Sequence, residues 1–103
     1  MKKAYVELPN VTNFIESQSE SVQVKYEKLI DILEEKGYLA QPYAEKVDKD
    51  LFAIRITKPK NVRIFYIYMK GDEIYGIHAY EKKSRKIPNR ELNKARKILS
   101  HMR

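Results

Sequence analysis

"LFAIRITKPKNVRIFYIYMKGDEIYGIHAYEKKSRK", residues 51–86, decides the fold, because three apolar runs in it are separated by two short turn-forming segments. In "LFAIRIT", 51–57, Phe52, Ile54 and Ile56 alternate with Leu51, Ala53 and Arg55, the period of a half-buried strand. "VRIFYIYM", 62–69, is apolar at both parities, which predicts a central strand covered on both faces, with Arg63 as its one charged residue. "IYGIHAY", 74–80, is a third strand, and "KPKN" and "KGDE" are turns by composition. Consecutive strands joined by short turns predict an antiparallel meander.

The flanks supply helices to cover it. "KKAYVEL" predicts a short strand that stops at Pro9, at a sheet edge where proline is tolerated. Asn10 is then a candidate N-cap for a short helix with Val11, Phe14 and Ile15 on one face. Val22, Tyr26, Leu29, Ile30 and Leu33 recur at spacings of three and four, and Gly37 is a C-terminal stop. The two segments predict an antiparallel helical hairpin. Leu92, Ala95, Leu99 and Met102 predict a last helix starting near Pro88. The expected fold is therefore α+β: an N-terminal strand, a two-helix hairpin, a three-stranded antiparallel meander and a C-terminal helix, in one domain over 1–103.

Composition removes several function classes. The chain has no cysteine, and its two histidines, His78 and His101, cannot build a zinc site unaided, so no metal or other cofactor is expected. No glycine-rich phosphate loop supports nucleotide hydrolysis. "MKKAYVELPN" lacks the apolar stretch of a signal peptide and no later segment could span a bilayer, so a cytoplasmic location without a membrane partner is expected. The net charge of +7 is one-sided: residues 1–50 carry seven Lys/Arg against ten Asp/Glu, and residues 51–103 carry fourteen against four. Such a field attracts phosphate backbones, anionic membranes or an acidic protein.

The cations fall into two groups. Between Leu51 and Lys70 stand Arg55, Lys58, Lys60, Arg63 and Lys70 with no acid among them; after the third strand come Lys82, Lys83, Arg85 and Lys86. A basic run is commonly a solvated face, but Arg55 and Arg63 lie inside strands, which hold a guanidinium more rigidly than a loop does. The interleaved Tyr66, Tyr68, Tyr75 and Tyr80 are either half-buried strand residues or platforms on which bases stack. His78 is either a packed, hydrogen-bonded histidine or an acid or base at the same surface. A cationic set without metal ligands or a thiol suits RNA, which carries its own nucleophile. The 2′-OH attacks the adjacent phosphate once it is deprotonated, aligned and the pentavalent charge is stabilised. A lysine crowded by cations, Lys82 or Lys83, approaches general-base duty.

Four segments, "LFAIRI", "NVRIFYIY", "IHAYEKKSRKIP" and "NRELNKA", resemble in order and spacing the toxins of the RelE/ParE superfamily, and within it the phage-derived HigB-like toxins. The region ending "EEKGYLAQPYAEKV" is similar as well, so the resemblance covers nearly the whole chain. It implies a RelE-like fold and an mRNA interferase that cleaves mRNA, in the family often on the ribosome, paired with an antitoxin that usually carries a helix-turn-helix. Carried over by position, Arg63 would meet the scissile phosphate, and Arg55 with Lys82 or Lys83 would transfer protons or stabilise charge. His78 matches the family's histidine. Lys58, Lys60, Tyr66, Tyr80, Arg85, Lys86 and Arg90 would contact RNA. Ile87 departs from the family's threonine before the proline, and Ala79 and Tyr80 from its glycine and phenylalanine. Two other functions fit the same surface: a ParE-like, non-enzymatic inhibitor of DNA gyrase, and an RNA-binding module without cleavage.

Overall fold

A computed structural model describes residues 2–102. The chain runs β1 (Ala4–Glu7), α1 (Pro9–Glu16), α2 (Glu20–Lys36), β2 (Ala44–Asp48), β3 (Leu51–Ile56), β4 (Val62–Met69), β5 (Glu73–Glu81) and α3 (Asn89–Met102). The meander is β3–β4–β5, but it is the middle of a larger, mixed sheet of order β1-β5-β4-β3-β2. β1 adds to β5 in parallel, with Tyr5 beside Ile74, and β2 adds antiparallel to β3, with Glu45 beside Ala53.

Each face of the sheet has its own cover. Val11, Ile15, Val22, Tyr26, Leu29 and Leu33 of α1 and α2 pack on Ile54, Ile56, Ile64, Tyr66 and Ile74. On the other side Ala95, Leu92, Ile98 and Leu99 of α3 pack on Leu51, Ala53, Phe65, Ile67 and Ile77. β4, buried from Val62 through Ile67, lies between the two layers as its unbroken apolar run requires. Each large side chain removed from water here contributes roughly 1.5–3 kcal/mol before conformational entropy is subtracted.

Local chemistry sets the helix ends. Ser19 caps α2 by accepting from Val22 N at 3.3 Å, and Gly37 ends it in the left-handed conformation, φ 83°. At α1 the expected cap is replaced: Leu8 is the N-cap residue, Pro9 opens the helix, and Asn10 sits inside the first turn. Proline at that position loses nothing, because its missing N–H would have had no partner in the helix. Asn10 instead sends Nδ2 across to Ile77 O in β5, at 3.0 Å.

That bond falls on the one irregularity of β5. The register passes from Phe65 beside His78 to Tyr66 beside Gly76, which leaves Ile77 as an extra residue in a β-bulge. Leu8 N donates to Gly76 O at 3.0 Å, so the β1–α1 junction holds both carbonyls of the bulge. Gly76 has a steric duty besides: a Cβ there would stand 2.0 Å from Tyr5 Oη. The Tyr5 hydroxyl donates to Tyr26 Oη at 2.7 Å, because Tyr26 spends its one hydrogen on Glu7 Oε2 at 2.6 Å. Thr12 Oγ1 completes the chain on Glu7 Oε1 at 2.7 Å. Burial pushes the pKa of both phenols up, so the chain stays protonated at neutral pH.

Replacing Gly76 with alanine must displace the Tyr5 ring and break this chain. Urea denaturation of Gly76→Ala is expected to show a loss of roughly 1–3 kcal/mol, the usual cost of overpacking a filled site; an unchanged midpoint would show that β1 yields freely.

Candidate nucleic-acid interface

The bulge decides which side chains meet. Ahead of it, Ile74 and Gly76 face α1 and α2 while Tyr75 faces α3; beyond it, His78 and Tyr80 face α3 and Ala79 faces the hairpin. Without the extra residue the period of two would send His78 and Tyr80 to the opposite side. On the α3 face Tyr80 becomes the cross-strand partner of Arg63, and Arg63 the partner of Arg55. One strand further out, Glu45 Oε1 lies 4.0 Å from Arg55 Nε. Glu45, Arg55, Arg63 and Tyr80 thus form a row across four strands, and Lys82 follows at the exit of β5.

The two segments rich in cations face each other, as register requires: Val62 pairs with Glu81, and Lys82 N donates to Asn61 O at 2.9 Å. Arg63 is the floor of the cluster, 2% exposed, with Nη1 donating to Ile56 O at 3.2 Å and to Val62 O at 3.1 Å. Burial, then the charge of Arg55, lowers its pKa, and Glu45 opposes that shift. Arg55 is half-exposed and reaches Pro42 O with Nη1 at 3.4 Å. Burial and the charges of Arg63 and Arg55 lower the pKa of Lys82 against the pull of Glu45. Burial pushes the Tyr80 phenol up to about 12, so it is a neutral hydroxyl at physiological pH.

Four buried side-chain polar atoms lack a hydrogen-bond partner among the described residues, and three of them, Arg55 Nε, Arg63 Nε and Tyr80 Oη, belong to this row. Each such atom costs about 1–3 kcal/mol. Two guanidiniums side by side on neighbouring strands, ~5 Å apart at Cα, add repulsion. Unmet donors gathered at one spot mark it as the candidate site.

Glu45 is the site residue that sequence reasoning missed. It lies in β2, whose five residues, AEKVD, include three charges and no aromatic, so neither propensity nor an apolar run marks a strand. Nor does it alternate, because its two apolar residues, Ala44 and Val47, fall at opposite parities.

The other expected residues are placed as follows. His78 is packed against Phe65 and Tyr80, and its Nε2 is 2.7 Å from Glu91 Oε1 on α3. Tyr66, expected to offer its ring to a base, is 1% exposed on the opposite face, stacked on Phe52 beneath the helical hairpin. Its parity in β4 decides this, because Arg63 and Phe65 face α3. The ring of Tyr80 is also buried, so its hydroxyl rather than its face belongs to the cluster. Lys58 and Lys60 are exposed in the β3–β4 turn, Lys60 within 3.7 Å of Glu81. Lys83, Arg85 and Lys86 are exposed in the loop after β5, where Ser84 Oγ donates to Lys86 O at 2.8 Å. Arg90 is exposed in the first turn of α3 and touches Glu91 Oε2 at 3.4 Å. Among the described residues no group of His, Cys, Asp and Glu could hold a metal ion, and no helix is long and apolar enough to cross a membrane.

The chain is thus a three-layer α+β protein with a cationic row on one sheet face and exposed cations around it. Residues 13–100, more than four-fifths of the chain, match the family model described as "Phage derived protein Gp49-like (DUF891)", and the chain belongs to that family, one of RelE/HigB-like toxins. No curated protein matches the chain.

Two measurements test the electrostatics. Tyr80→Phe removes a buried hydroxyl that has no partner, so urea denaturation is expected to show equal stability or a gain of about 1 kcal/mol. For Glu91, burial pushes the carboxyl up, but the hydrogen bond from His78 and the charges of His78, Lys94 and Arg90 outweigh it and leave the pKa below its ordinary value. A carboxyl depressed in the fold contributes stability above its unfolded pKa and loses it as pH falls through the folded one. Below about pH 4, wild type is therefore expected to lose stability more steeply than Glu91→Gln; parallel acid limbs would contradict the shift.

Proposed function

We propose that the protein is the toxin of a toxin–antitoxin module and that it cleaves mRNA without a metal ion. The observation that supports this is the row Glu45–Arg55–Arg63–Tyr80 with Lys82 at its end, a carboxylate set among cations with unpartnered buried donors. Glu45 takes the proton from the 2′-OH as general base. The 2′ oxygen bonds to phosphorus while Arg55 and Lys82 hold the non-bridging oxygens and Arg63 stabilises the added charge from beneath. The bond from phosphorus to the 5′ oxygen then breaks. Lys82, whose neighbours weaken its hold on its proton, protonates that leaving group. The products are a 2′,3′-cyclic phosphate and a 5′-hydroxyl end.

Positioning falls to other residues. His78 and Glu91 pin the start of α3 to β5 beside Tyr80. Lys58, Lys60, Lys83, Arg85, Lys86 and Arg90, all exposed, bind the backbone of the mRNA or of the ribosome that carries it. The family also implies an antitoxin partner.

Induced expression in a bacterium, with mapping of RNA 5′-hydroxyl ends, is expected to give new cleavage ends that Glu45→Gln and Lys82→Met each reduce by on the order of 10²–10⁴. Growth arrest with intact mRNA would sink the ribonuclease reading, and inhibited DNA supercoiling in the same cells would select the gyrase-directed one.

A further inference from the structure

On the helical-hairpin side of the sheet, away from the cationic row, aromatic rings gather beside β2. Phe52 is stacked on Tyr66 with centroids 5.5 Å apart, and Tyr68 stands T-shaped to both, at 5.3 and 5.9 Å. The Tyr68 hydroxyl donates to Gly37 O at 3.0 Å, which ties the cluster to the C-terminal end of α2. Tyr38 follows Gly37 directly and is 56% exposed, so the core does not consume its ring. These four rings line a hollow of about 200 Å³, and Glu45 and Lys46 border it as well. Lys46 Nζ stands 6.0 Å from the centroid of the Phe52 ring.

We propose that this hollow receives one unpaired base of a single-stranded RNA. Aromatic walls accept any base by its π face, without a demand on sequence. A hollow of this volume takes a planar ring and not a helix, whose diameter with side chains is about 10 Å. Charge then selects among the ligands that such walls attract. An organic cation would meet Lys46 and a net charge of +7, and the carboxylate of Glu45 is already drawn to Arg55, 4.0 Å away. A nucleotide instead brings its phosphate to Lys46 while its base enters between the rings.

Glu45 joins the hollow to the row. β2 is an edge of the sheet; Ala44 and Lys46, beside Ile54 and Phe52, face the hairpin, and Glu45, beside Ala53, faces α3. An RNA strand that crosses this edge has one phosphate at Arg55 and a neighbouring base among the rings. The hollow then holds a base next to the phosphate in the row. This crossing rests on the ribonuclease reading; the base pocket does not.

The test uses the full chain, labelled with nitrogen-15, and a single-stranded 2′-O-methyl heptaribonucleotide that carries one central 2-aminopurine, with an abasic counterpart. The methyl group blocks the 2′ oxygen, so neither probe can be cleaved. The expected result is a set of amide shifts that includes Tyr38, Lys46 and Arg55, quenched 2-aminopurine fluorescence, and affinity for the abasic strand about fivefold to a hundredfold lower. Tyr38→Ala, at an exposed position, is expected to keep the wild-type melting curve, to lose the same factor with the base-bearing strand and to lose nothing with the abasic one. The pocket is overturned by equal affinity for the two strands, by a Tyr38→Ala loss that is the same for both, or by displacement of the labelled strand with indole or tetramethylammonium at lower concentration than with adenosine monophosphate. Base-dependent binding without a shift at Arg55 overturns the crossing alone. Absence of cleavage in cells would count against the ribonuclease reading and leaves the outcome of this binding test as it stands.

Discussion

The bulge at Ile77 is the constraint on which the site depends. A strand with a period of two offers each face alternate residues, and β5 without an extra residue would present Ala79 to α3 and carry His78 and Tyr80 into the helical hairpin. The added residue reverses that assignment at one point, after the strand has already delivered Ile74 to one core and Ile77 to the other. Such an irregularity leaves carbonyls without ladder partners, and here the β1–α1 junction satisfies them through Leu8 N and Asn10 Nδ2. The parallel strand β1 is thus more than an edge. It positions the junction, and through it the face on which the cationic row is assembled.

With the faces assigned, the cationic row sets two costs against a few supports. The costs are a guanidinium at 2% exposure and a like charge on the adjacent strand. Part of the offset comes from Glu45, whose negative charge favours the charged forms of Arg63 and Lys82. Another part comes from the backbone carbonyls of Ile56 and Val62, which fix Nη1 of Arg63. The donors left over are those a bound phosphate would satisfy. The contact of His78 with Glu91 adds rigidity, because it ties a buried carboxylate on α3 to the strand next to Tyr80.

The meander, the hairpin with its Gly37 stop, and the apolar stripe of α3 were legible because each is written in consecutive residues with a clear period. Arg55 and Arg63 were legible as strand residues on either side of a short turn, but the register that makes them cross-strand partners was not, since a slip of one residue would part them. β2 was not legible: three charges in five residues hide a strand whose stability comes from pairing with β3 rather than from its own side chains. The bulge was not legible either, because Gly76 in a strand signals only a close approach, and what approaches, Tyr5, lies seventy-one residues earlier in the chain. Tyr66 was misjudged for a related reason. A strand apolar at both parities gives no sign of which face holds the site. Glu45 went unnoticed because β2 itself did.

Arg55 gathers these threads. Its backbone N–H donates to Tyr43 O at 2.8 Å and its guanidinium to Pro42 O, so the lead-in to β2 holds it twice. That same lead-in supplies, two residues after Tyr43, Glu45 to the row. A displacement of residues 42–45 would therefore move the anchors of Arg55 and its carboxylate neighbour together. Arg63, held by carbonyls of β3 and β4 within the sheet, lacks this dependence. The inner guanidinium is therefore fixed by the sheet itself, and the outer one by the segment that also carries Glu45.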